Sequence, residues 1–181
     1  MQHRVDLQID IEQFQNELFN ELDLKTYAVI DGAQVSELQA KLSASKHSYV
    51  CLWSGELDSD LKQVAPYLVQ LKRDSNFTLW LLENGWANNW NIFVSAKSSI
   101  KMVRKHLRKF LTVVTDDGET LIFRFYDPRI MKAFMRNIDG QQSQQLFQDI
   151  VAFRYENPLE RELVSVKKIS DELIFRQVAM N

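Results

Sequence analysis

Cysteine is nearly absent from this chain. Cys51 stands alone among 181 residues, so no internal disulfide can form. Its place in the apolar run "YVCLW" marks a small core residue in a reducing compartment. Glycine (five) and proline (three) are sparse, which excludes a collagen-like, low-complexity or loop-rich secreted scaffold. The glycines are scattered singly, so neither a phosphate loop nor a dinucleotide-binding pattern is present. Charge of one sign is also missing. The 22 Lys+Arg against 24 Asp+Glu leave a net charge of -2, which argues against a generic polyanion binder but permits a local basic patch. No window approaches the ~20 apolar residues of a membrane span, and "MQHRVDLQIDIEQF" lacks the basic-then-apolar order of a secretory leader. A cytoplasmic protein with no membrane partner is expected. Three separated histidines and one cysteine form no metal-ligand spacing, so no metal and no cofactor are expected.

What is present is core material. Hydrophobic residues make up 45% of the chain, enough for one domain with a buried centre. Three segments emerge: an N-terminal helical segment over 1–25, a core domain over 26–150, and a C-terminal extension over 151–181, where the character changes after "QQSQQLFQDI".

Periodicity supplies the elements. Ile11, Phe14, Leu18 and Leu22 share one helical face, as do Val35, Leu38 and Leu42. The runs "TYAVID", "YVCLW", "YLVQLK" and "NWNIFVSA" read as strands, and "FTLWLLENGW" as a short buried helix closed by Gly85. Pro66 ends the helix begun by "SDLKQV", because the residue before proline disfavours helical geometry and proline has no amide to donate. Ser98 is positioned to cap a helix whose apolar stripe is Ile100, Val103, Leu107, Phe110 and Leu111. Lys101, Arg104, Lys105 and Arg108 flank that stripe. "LTVVTDDGETLIFRFYD" reads as a hairpin turning at Asp117-Gly118, with Leu121, Phe123 and Phe125 on one face and Ile122, Arg124 and Tyr126 on the other. The expected fold is α/β of the α+β kind: a single domain with a mixed sheet that contains this antiparallel hairpin, flanked by amphipathic helices.

The hairpin runs into Asp127-Pro128-Arg129. Asp127 suits a helix N-cap and Pro128 the first helical position, but a positive Arg129 at a helix N-terminus needs an acidic partner. Arg124 and Arg129 are therefore candidates for buried or interface ion pairs. A hydrolase would recruit Asp127, His106 and Asp31 or Asp60, yet no nucleophile motif or carboxylate pairing joins them. A nucleic-acid module would use the basic 101–109 helix, with Trp86, Trp90 or Tyr126 for stacking. No nucleic acid is expected as a partner, and no catalytic residue is assigned.

In order and spacing, "YAVIDGA" (27–33), "DLKQVAPYLVQL" (60–71), "NWNIFVSA" (89–96), "KHLRKFL" (105–111) and "DDGETLIFRFYDPRIMKAF" (116–134) resemble the type VI secretion effector adaptors or chaperones, the Tap or TEC proteins, formerly labelled a domain of unknown function. The resemblance spans roughly residues 26 to 150. It implies a non-enzymatic, cytoplasmic adaptor that binds one toxic effector and helps load it onto the VgrG spike. Such binding is expected to use an apolar groove with arginine anchors: Arg124, Tyr126 and Arg129 at the corner, and Arg108 on the basic flank. Asp31, Gly32, Pro66, Asp127 and Pro128 match motif positions whose expected work is turn, strand and corner geometry.

Overall fold

A computed structural model describes residues 9–180, so the first eight residues of the N-terminal segment lie outside the described residues. The chain runs α1 (Ile11–Leu18), β1 (Lys25–Asp31), a 3-10 turn (Gly32–Gln34), α2 (Leu38–Ala44), β2 (Tyr49–Cys51), α3 (Ser59–Val64), β3 (Pro66–Gln70), α4 (Asn76–Gly85) and β4 (Asn91–Ala96). It continues through α5 (Ile100–Leu107), a second 3-10 turn (Arg108–Phe110), β5 (Thr112–Val114), β6 (Thr120–Ile122), α6 (Pro128–Asn137), α7 (Gly140–Leu146), β7 (Ala152–Asn157), β8 (Glu162–Ile169) and β9 (Glu172–Ala179).

Among the described residues, seven strands form one sheet in the order β2-β3-β1-β4-β7-β8-β9, and β5 and β6 form a second, two-stranded sheet. The α+β class with flanking amphipathic helices is as expected. Two details differ. Every pairing in the main sheet is antiparallel, so the sheet is not mixed: β1 receives β3 on one side and β4 on the other, both running against it. The hairpin that was expected within the sheet stands apart as its own pair: β5 and β6 bond to each other from Thr112↔Ile122 to Val114↔Thr120, with the Phe123 amide on the Leu111 carbonyl at 2.8 Å as a last rung, and neither strand pairs with the main sheet among the described residues. The residues of 151–181 supply three strands of the same sheet, with β7 pairing directly on β4.

The strand period of two gives this sheet two buried faces. Tyr27, Val29, Ile92, Val94, Phe153 and Tyr155 face α5, α6 and α7, where Val103, Leu107, Met131 and Leu146 meet them. Ala28, Ile30, Val69 and Phe93 face the other way, onto Phe14 and Leu18 of α1, Leu38 and Leu42 of α2, and Leu81 of α4. The result is helices on both sides of an antiparallel sheet. Leu22, placed by period on the first helix, falls beyond its end and is 99% exposed. Ser99 rather than Ser98 occupies the cap position of α5, without a side-chain cap bond, while the Ser98 carbonyl accepts the Tyr27 hydroxyl at 2.7 Å.

Candidate functional site

The corner that opens α6 is built from both ends of the core motif. Asp127 caps the helix by accepting the Arg129 amide at 2.9 Å, and Pro128 occupies the first turn as its missing amide permits. The same carboxylate receives the Arg129 guanidinium at 3.0 and 2.6 Å, which is the acidic partner that Arg129 required. Burial opposes ionisation of Asp127, but the Arg129 hydrogen bonds outweigh it and hold the carboxyl below its ordinary pKa. Arg124 reaches across the fold to the buried carboxylate of Asp31, at the end of β1.

Asp31 also accepts the Ala33 amide at 3.1 Å, which starts the 3-10 turn. Gly32 follows because nothing larger fits: a Cβ there would lie 2.4 Å from the Ala65 carbonyl oxygen and 2.6 Å from that of Gln63. Pro66 stands opposite Asp31 as the first residue of β3, where a missing amide is tolerated. Asp31, Gly32 and Pro66 thus form one contact at the end of β1, tied by Arg124 to the start of α6.

Of the recognition candidates, Arg129 is the most open, its side chain 66% exposed. Arg124 is half-buried against Asp31. Tyr126 lies in the core at 2% exposure, and burial pushes its hydroxyl pKa up to about 12. Arg108 stands elsewhere, in the 3-10 turn after α5. There it lines a groove of about 510 Å³ with Leu52, Trp53, Leu57, Leu61, Leu111 and Ile122. One wall of the groove is the small hairpin, whose Ile122 is 65% exposed beside the exposed Leu121 and Val114. Such a cluster of uncovered apolar side chains is unusual on a protein surface that meets only water.

The residues of the other two readings are dispersed. His106 is buried, with Nε2 donating to the Leu146 carbonyl at 2.8 Å and Nδ1 facing Asp149 at 3.4 Å. Burial lowers its pKa against the opposing pull of the Leu146 bond and the Asp149 charge. It does not join Asp127 or Asp31. Asp60 sits in the first turn of α3, exposed. Arg104, on the basic flank, donates to the Cys51 carbonyl at 2.6 Å and to the Trp53 carbonyl at 3.0 Å, fastening α5 to the strand below it. Trp86 is buried on one face of the sheet and Tyr126 on the other, so two of the three proposed stacking residues are core.

Two charged residues that the sequence reading passed over are central to the fold. Arg154 and Glu156 lie two apart on one face of β7, so both enter the layer beside α1 and α4. Arg154 donates to Ser95 and to Glu21, which also holds Lys167 at 2.8 Å. Glu156 accepts the amides of Ala87 and Asn89, the latter at 2.7 Å, and so clamps a loop in which both residues take positive φ (62° and 54°). Burial is the main reason its pKa rises to about 7. Two charges at alternate positions of the run "AFRYEN" were the available signal.

No curated protein and no solved structure shows significant similarity to the chain. Residues 26–145, well over half of it, match the profile of a family and cover every motif named above, from β1 to α7. The chain belongs to that family, which is described as a domain of unknown function (DUF4123).

Proposed function

We propose that this protein is a non-enzymatic adaptor that binds a specific type VI secretion effector in the cytoplasm and helps load it onto the VgrG spike. The observation that carries the reading is the apolar groove beside Arg108, walled by the hairpin that stands apart from the main sheet. It combines what a protein-recognition site needs: a concave apolar floor, aromatic Trp53, and an arginine at its margin. The motif order that resembles the effector adaptors supplies the class of partner. In this reading the groove takes an effector segment, Arg129 contributes at the exposed corner, and Arg124, Tyr126, Asp31 and Pro128 hold that corner in shape.

The test is an affinity purification of the tagged protein from cells that express its toxin, followed by mass spectrometry and size-exclusion of the complex. One large toxin-like protein, with or without VgrG, is the expected recovery. Ile122→Asp, which puts a charge on an exposed hairpin position, is expected to reduce that recovery about tenfold while the melting temperature stays unchanged. Failure to recover a toxin, or undiminished recovery with the folded Ile122→Asp protein, overturns the reading.

A further inference from the structure

Among the described residues the main sheet ends at β9, an eight-residue strand paired with β8 alone. The opposite edge, β2, has three residues. Natural sheets blunt a long edge with bulges, prolines or lysines. β9 has none of these: its register with β8 runs unbroken from Glu162↔Ala179 to Ile169↔Glu172, and "ELIFRQVA" contains neither residue. Its one arginine, Arg176, is engaged with Glu17.

Backbone parity shows which groups are uncovered. The Met180 amide donates to the Arg161 carbonyl, so even-numbered residues of this strand turn their backbone groups toward β8 and odd-numbered ones turn theirs outward. The outward Ala179 carbonyl accordingly receives the side-chain amide of Gln13 at 3.0 Å. The amides and carbonyls of Leu173, Phe175 and Gln177 have no such partner among the described residues.

Beside this edge runs a second groove, of about 310 Å³. Tyr155 and Val164 line it from the sheet, Phe175 and Gln177 from β9, and Lys132 and Arg136 from α6. Among the described residues no carboxylate lines it, and that of Glu162 stands at its margin, accepting from the side-chain amides of Gln177 at 3.0 Å and Asn157 at 3.5 Å. Lys132 is bonded to Asn157 at 2.9 Å, and Arg136 has no ion pair among the described residues. Phe175 remains 43% exposed.

We propose that β9 accepts an extended segment of another protein as an eighth strand of the sheet. Backbone hydrogen bonds to Leu173, Phe175 and Gln177 supply the attachment, and alternate side chains of the guest enter the groove. Those side chains are apolar, with a carboxylate where the guest passes Arg136. The site is separate from the groove beside Arg108 and stands whether or not that groove binds an effector.

The probe is a displayed library of nine-residue peptides without proline, selected against the purified full chain. Selected peptides are expected to alternate apolar residues and to carry Asp or Glu in one register. Gln177→Pro removes an outward amide, together with the side chain that donates to Glu162 at 3.0 Å, and leaves the backbone bonds to β8 in place; it is expected to weaken a selected peptide at least tenfold. If that variant does not fold, Arg136→Glu decides: the selection is expected to shift from acidic to basic residues. Binding without alternation, an unchanged affinity for folded Gln177→Pro, an unchanged preference for folded Arg136→Glu, or no selected peptide overturns the proposal. So does a wild-type dimer that Gln177→Pro returns to monomer, because that outcome assigns the edge to a second copy of the chain.

Discussion

Glu156→Gln isolates the buried carboxylate of β7. In the folded chain burial raises the pKa of Glu156 from 4.5 to about 7, the amides of Ala87 and Asn89 pull it back, and the charge of Asp127 adds to the rise. Between those values the folded protein holds a proton that the unfolded chain has released. Its unfolding free energy therefore falls as pH rises from about 4.5 to about 7, and levels off above. At about 1.4 kcal/mol per pH unit, that interval corresponds to roughly 3 kcal/mol. Glutamine cannot ionise, and its amide offers one acceptor to two donors, so the variant carries a pH-independent loss of about 1–2 kcal/mol. His47 and His106, whose burial lowers their pKa, impose the opposite slope near neutrality, but they are common to both proteins and cancel in the difference. The assay is urea unfolding of both proteins, followed by tryptophan fluorescence, from about pH 5 to about pH 8. Wild-type stability minus that of Glu156→Gln is expected to fall by roughly 3 kcal/mol across the range. Parallel curves would refute the reasoning, because they would mean that the carboxylate is ionised in the folded state throughout.

Gly32→Ala drives a methyl group into the Ala65 and Gln63 carbonyl oxygens, at 2.4 and 2.6 Å from an ideal Cβ. A loss of about 2 kcal/mol or more is expected, read as a lower melting temperature; an unchanged one would remove close approach as the reason for glycine there. Asp31→Ala leaves the Ala33 amide and the Arg124 guanidinium without their carboxylate and is expected to cost about 2–4 kcal/mol. In a double-mutant cycle with Arg124→Ala the coupling is expected to be about 1 kcal/mol or more; strictly additive losses would show that the pair contributes nothing.

Much of the core domain was legible because its signals are local. Asp127-Pro128 starts α6, Pro66 stops α3, Gly118 takes the positive φ (85°) of the hairpin turn, and the stripe of α5 faces the core, each as short-range geometry requires. The same kind of reading ran too far at Leu22, where the period continued past the helix, and at Phe123, where alternation continued past the strand. Periodicity records which face an element buries but not where its backbone hydrogen bonds end.

The sequence by itself determined the class of fold, the positions of most elements, the turn and cap residues of the corner, and the motif order shared with the family. All follow from steric and hydrogen-bonding preferences within a few residues, or from the motifs themselves. Only the tertiary structure decided that Arg124 meets Asp31 across 93 positions, that Tyr126 is buried while Arg129 is open, and that Glu156 clamps Ala87 and Asn89. It also decided that β7, β8 and β9 complete the sheet and that, among the described residues, β9 is an open edge. Those outcomes depend on which strand pairs with which, and pairing between distant segments is set by how the whole chain packs rather than by any local run of residues.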